Sequence, residues 1–165
     1  EQSMLREKVQ KAVAEDQIPA NQEQVHAWHI LVASEDQARD TLQQLQSGGD
    51  FAQLAQNLST DPGSKAKGGD LGWVPRGVMD KPFEDAAFAL QPGQLSDVVH
   101  GANGYHIIQT LEKDPSRPIP AAQLGMLRQK AGTDWLNSKH SGSDIELQLS
   151  QATRDWALSR LGVRP

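Results

Sequence analysis

The run Val25-His26-Ala27-Trp28-His29-Ile30-Leu31-Val32 constrains this chain more than any other stretch. It is apolar on both alternating faces, and a β-branched run this short fits a strand buried on both sides. The following text supplies helices to cover it. Ser34 reads as an N-cap with acids in the first turn, and Gly48 and Gly49 close that helix. Asp50 starts a second, short helix that buries Phe51, Leu54, Ala55 and Leu58. A strand is expected around Leu71 to Val74. Asp80, with Pro82 in the first turn, opens a third helix carrying Phe83, Ala86, Ala87 and Leu90. Two further strands, Leu95–Val99 and Tyr105–Leu111, flank an Asn103-Gly104 hairpin turn. Mixed order with a terminal hairpin makes the fold class α+β, with a small, mostly antiparallel sheet.

The flanks read differently. Leu5, Val9, Ala12 and Val13 recur at helical spacing before Pro19 stops the helix. Asp114 to Pro120 is rich in proline and reads as a boundary. Beyond it Leu124, Leu127, Ala131 and Trp135 form a helical stripe, Asp144–Leu149 alternates briefly, and a last helix carries Trp156 and Leu161. The expected organisation is an N-terminal helix over 1–23, a central domain over 24–113 and a C-terminal helical segment over 114–165. The flanking helices pack either on each other or on a segment outside this chain. Their exposed stripes allow a homodimer. The chain opens at Glu1, inside a helical pattern, and reads as a piece of a longer protein.

Composition narrows the chemistry. Only 37% of the 165 residues are hydrophobic, which leaves a modest core with polar flanks. A net charge of −5 offers no basic field for nucleic acid. The absence of cysteine excludes disulfides, thiolate metal sites and cysteine nucleophiles, and suits an oxidising compartment. His26 and His29 form an HxxH, but on a strand that odd spacing sends them to opposite faces, so no metal site is expected. The glycine cluster Gly68-Gly69-Asp70-Leu71-Gly72 lacks the Gly-Lys-Ser/Thr ending of a phosphate loop. Leu58-Ser59-Thr60-Asp61-Pro62-Gly63-Ser64 is rich in hydroxyls, yet no G-x-S-x-G elbow accompanies it. Taken one at a time, His29 and His106 read as core histidines and Asp61 as a turn former.

Their order carries more than any one of them. His29 in HILV, the GGDLGW core behind Lys65 and Lys67, Met79–Ala86 (MDKPFEDA) and Gly104–Ile108 (GYHII) follow with spacing that resembles the parvulin family of peptidyl-prolyl cis/trans isomerases. The resemblance covers roughly Gln24 to Lys113. It implies a four-stranded sheet flanked by helices and rotation about X–Pro bonds. It places the family's two site histidines on His29 and His106, its Cys-or-Asp position on Asp61, and its hydroxyl-bearing hairpin position on Asn103, a departure in geometry. The implied proline pocket is Leu71, Met79 and Phe83, with Val74. Alternation groups Leu71 with Trp73, so Val74 joins that pocket only if a bulge intervenes.

Bond rotation makes and breaks no covalent bond, so neither nucleophile nor cofactor is required. The partners implied are unfolded or extended polypeptides containing proline. The short acidic connection Ala33-Ser34-Glu35-Asp36 would repel a phosphate, so no phospho-preference is expected. The helical flanks resemble those of extracytoplasmic foldases, in the periplasm or at the cell surface, with a membrane attachment through a segment outside this chain. The alternative is a non-catalytic module that holds unfolded polypeptide.

Overall fold

A computed structural model describes residues 2–140. The chain divides into two units, residues 21–118 and residues 1–20 with 119–165. The alternating Asp144–Leu149 segment and the helix expected around Trp156 and Leu161 lie outside the described residues.

The first unit is α+β. Strand β1 (Asn21–Val32) is followed by helices α2 (Glu35–Gln46) and α3 (Phe51–Leu58), then strand β2 (Asp70–Pro75), helix α4 (Lys81–Ala89), the short strand β3 (Val99–Gly101) and the long strand β4 (Gly104–Pro118). The sheet order is β2-β1-β4-β3, and every pairing is antiparallel. The doubly apolar run is therefore one of the two central strands, as its pattern requires. Local chemistry sets the helix starts. Ser34 Oγ accepts from the Gln37 N–H, and Asp50 Oδ1 accepts from the Gln53 N–H.

Both sheet faces are covered. On one, Val25, Ala27, Val74 and Ile108 pack with Phe83, Ala87 and Phe88 of α4. On the other, Ile30, Val32 and Ile107 pack with Ala38 and Leu45 of α2 and with Phe51 and Ala55 of α3. Alternation explains the division: Val25, Ala27 and His29 share one parity of β1, whereas Ile30 and Val32 share the other. Burying one such aliphatic side chain contributes roughly 1.5–3 kcal/mol.

Several expectations are corrected. Leu58 ends α3 40% exposed, because the chain leaves the helix there instead of continuing its buried stripe. Leu95–Val99 is not a regular strand. Leu95 makes one isolated bridge to Gln109, and β3 begins at Val99. The turn centre is Ala102-Asn103, since Gly101 pairs with Gly104. The proline-rich segment does not interrupt β4. Its pairing with β1 shifts register between Gln22 and Gln24, and that irregularity accommodates Pro115.

In the second unit, α1 (Gln2–Gln17) and α5 (Ala121–His140) pack against each other. Ala14 and Leu127 are buried, and the Arg128 guanidinium donates to the Ile18 carbonyl. Gly132 is needed at this contact, because a Cβ there would stand 2.7 Å from Gln10 Cγ.

Candidate active site

Strand β1 changes partner at His29. Pairing with β2 ends at Trp28 and Asp70, after which the His29 N–H donates to the Gly69 carbonyl at 2.8 Å. Beyond it the edge of β1 is taken by the segment after α3. The Thr60 N–H donates to the Leu31 carbonyl at 2.7 Å, and the Leu31 N–H donates to Ser59 Oγ. Asp61 is thereby delivered to the His29 ring. Gly69 must be glycine: at φ 87° its backbone lies so close to β1 that a Cβ would stand 2.4 Å from the His29 oxygen.

His29 is 3% exposed and His106 5%, and their rings stack at 5.4 Å. Their Nδ1 atoms face each other at 3.3 Å. At the far end of His29, Nε2 lies 2.9 Å from Asp61 Oδ2 and 2.9 Å from Ser64 Oγ. The Ser64 hydroxyl and N–H both donate to Asp61 Oδ2, and the Gly63 N–H donates to Oδ1. Partial burial works to raise the Asp61 pKa. The hydrogen bonds from Ser64, His29 and Gly63 outweigh it and bring the carboxyl down to about 2. Burial, with His29 close by, holds His106 below the usual histidine value, against an opposing pull from Asp80 and Asp61. Hydrogen-bond partners assign the tautomers. An ionised Asp61 requires a proton on His29 Nε2. With both rings neutral, His29 Nδ1 is then the acceptor and His106 Nδ1 the donor.

Phe83, fully buried, meets both imidazoles edge-on, at 5.8 Å from His29 and 5.6 Å from His106. Leu71 and Met79 are half-buried against the same cluster, which also contains Val74. The bulge that Val74 needs is present. Ala27 pairs with Gly72 and Trp28 with Asp70, so Leu71 is the extra residue, beside Gly72 at φ 68°. Leu71 and Val74 thus pack on one cluster despite their odd separation. Val74 is 5% exposed and Phe83 fully buried, so these two lie beneath Leu71 and Met79. Asn103 stands apart, exposed at the β3–β4 turn and outside the Asp61–Ser64–His29–His106 chain. His26 turns away from this cluster to Asp70, 2.9 Å distant, and Trp73.

Four residues escape sequence reasoning. Ser59 and Ser64 sit in the hydroxyl-rich stretch, whose spacing relative to His29 is visible only after folding. Asp80 Oδ2 accepts from the Ala102 N–H and ties the start of α4 to the β3–β4 turn. Glu84 Oε1 accepts from the N–H groups of Gly77 and Met79, which fixes the Met79 segment. No local capping pattern marks this clamp, since Asp80 makes no side-chain cap bond and Glu84 lies four residues on rather than three.

The family model for the PPIC-type PPIase domain matches residues 8–114. The chain belongs to this family. Residues 8–114 are thus a parvulin-type peptidyl-prolyl isomerase domain, and the order of motifs around His29 and His106 follows from that membership. The foldase protein PrsA of Geobacillus sp. (strain WCH70) is 48% identical over 95 residues, which cover 58% of this chain and 34% of that protein. The chaperone SurA of Burkholderia thailandensis is 37% identical over 143 residues, covering 76% and 32%. The crystal structure of the peptidylprolyl isomerase PrsA from Bacillus anthracis aligns with a TM-score of 0.62 at 29% identity, covering 98% of this chain and 70% of that one. The chain spans about a third of the length of the curated relatives it matches.

Proposed function

We propose that this parvulin-type domain accelerates rotation about X–Pro bonds in unfolded or extended polypeptides without a covalent intermediate. The observation that carries the reading is the hydrogen-bonded chain Asp61–His29–His106, whose two buried imidazoles meet the edge of Phe83 beside the half-buried Leu71 and Met79. The planar amide resists rotation by ~18–20 kcal/mol because its resonance must be lost. The twisted state is less charge-separated than the planar one, so an apolar surround favours it. In this reading Leu71 and Met79 hold the pyrrolidine ring above Phe83 and Val74. His29 and His106, bonded to the more exposed Asp61, form a rigid polar wall that positions the flanking peptide, and Asn103 lies on the rim. No proton leaves the network in the reaction.

The residue before proline is unphosphorylated in the favoured substrate. Glu35 and Asp36 open α2, and Arg39 on the next turn is already paired with Glu35. A dianion there meets like charge. The parent protein acts as a foldase outside the cytoplasm, a reading supported by the names of its relatives and by the cysteine-free composition. It associates with the membrane through a segment other than these helices, since among the described residues no helix is long and apolar enough to cross one. The flanking helices supply a homodimer contact.

A holding module is the second reading, favoured by Met126 on α5, which is 64% exposed. NMR exchange spectroscopy on an Ala-Pro peptide separates the two. Exchange cross-peaks that require substoichiometric protein establish the isomerase. Their absence with a folded sample, across several residues before proline, leaves the holding module.

A further inference from the structure

Ser64 is fully buried and sits within 2.9 Å of His29 Nε2, yet a buried hydroxyl cannot reach a substrate. Nor do Ser64, His29 and Asp61 make a nucleophilic triad. In a triad the serine and the carboxylate occupy different nitrogens of the imidazole, so that one holds the ring while the other takes the proton. Here both partners crowd the same nitrogen. The arrangement must serve something else.

Ser64 occupies a fixed place. Its N–H is bound to Asp61 Oδ2, and its carbonyl accepts from the N–H groups of Lys67 and Gly69, closing the single 3-10 turn Lys65–Lys67. The serine hydroxyl has one proton and two lone pairs. While Asp61 is ionised, that proton goes to Oδ2, so the hydroxyl turns a lone pair to His29. Nε2 then faces two acceptors and must carry hydrogen. If Asp61 were absent, the hydroxyl proton would lose its partner and turn to Nε2, where it demands a bare nitrogen. Asp61 can only accept, whereas Ser64 can do either.

We propose that Ser64 is a positioning residue of the isomerase site, whose hydroxyl holds His29 by Nε2 and, in concert with Asp61, selects which imidazole nitrogen carries the proton. Its direction is set by Asp61. The consequence reaches His106, since a proton on His29 Nε2 makes His106 Nδ1 the donor and leaves His106 Nε2 bare beside Gly101. There is no slack at that end: a Cβ on Gly101 would stand 2.8 Å from His106 Nε2 and 2.7 Å from Asp80 Oδ2. Asp61 and Ser64 together therefore set, through two rings, the hydrogen-bonding character of the nitrogen farthest from them.

The inference rests on the isomerase reading for its purpose but not for its test. Imidazole 15N shifts of His29 and His106, recorded without substrate, assign the tautomers in the wild type, Ser64→Ala, Asp61→Ala and the double variant. Each sample is first checked for a dispersed amide spectrum. The wild type is expected to carry the His29 proton on Nε2. Asp61→Ala is expected to move it to Nδ1, and the double variant to lose that preference. Ser64→Ala is expected to keep the Nε2 proton but exchange it with water faster, and to lower kcat about tenfold at unchanged KM, the effect of one lost hydrogen bond. Wild-type Nε2–H exchange together with wild-type kcat in Ser64→Ala, or a proton that stays on Nε2 in Asp61→Ala, overturns the proposal. A wild-type protein that fails to isomerise any peptide overturns the isomerase reading instead, and the shifts still decide what Ser64 does.

Discussion

The two faces of the sheet are built on the same two strands and yet differ in kind. On the side of α2 and α3, β1 and β4 contribute Ile30, Val32 and Ile107, all buried and all hydrocarbon. On the side of α4 the same strands contribute His29 and His106, also buried but polar. A buried polar group costs stability unless its hydrogen bonds are made, and the α4 face makes them through Asp61, Ser64 and the mutual Nδ1 contact. Both faces bury hydrocarbon, but only the α4 face sets this pair of buried histidines among it. Strand alternation alone separates the two faces.

The largest effect that would break this comparison lies on the apolar face. Ile107→Ala removes a fully buried side chain and is expected to cost about 2–5 kcal/mol in urea unfolding, while kcat per folded molecule stays within about twofold. A matching loss of kcat would mean that the faces are not separable. Next in size is His29→Ala. It is expected to lower kcat/KM about a hundredfold, within the range for removal of one positioned polar group, and to leave aggregation suppression intact if holding is independent.

Acid sharpens the comparison, since the described α4 face carries the buried histidines. The His106 pKa is depressed in the fold, so the unfolded chain takes up the proton first. Its contribution to stability is present above the unfolded value of about 6.5 and is lost as pH falls through the lower folded value. Urea midpoints are expected to fall between pH 7 and pH 5, and to fall less in His106→Leu. Asp61 follows later, its contribution lost between 3.8 and about 2. The smallest effect is expected at the rim. Asn103→Ala should change kcat/KM less than about threefold, through KM, because the side chain is exposed and outside the His29 chain. A loss as large as that of His29→Ala would put Asn103 in the reacting centre.

Much of this was legible in the residues themselves. Ser34 and Asp50 announce their helices because capping is a local interaction, satisfied within three residues. The doubly apolar run announces a central strand because burial on both faces leaves no alternation to mislead. The fate of Leu58 and of Leu95–Val99 was not legible, since it depends on where the chain turns away from its neighbours. Pro115 misleads for a related reason. It looks like a break, but a register shift opposite it lets β4 continue. In the site, the motifs point to His29, His106 and Asp61, whereas Ser59 and Ser64 acquire meaning only when a loop 28–35 residues away in sequence is laid along β1.

Strand β1 opens the sheet unit and β4 closes it, and the two pair along their whole length, from Val32 with Tyr105 to Asn21 with Pro118. The first and last residues of this unit are thus cross-strand neighbours, about 5 Å apart. To any chain that hosts it, such a unit is a graft at a single point: it enters and leaves through one gap, and excising it requires only a short splice. The same closure makes circular permutation feasible, with Asn21 and Pro118 joined and new ends cut at the exposed Ala102-Asn103 turn.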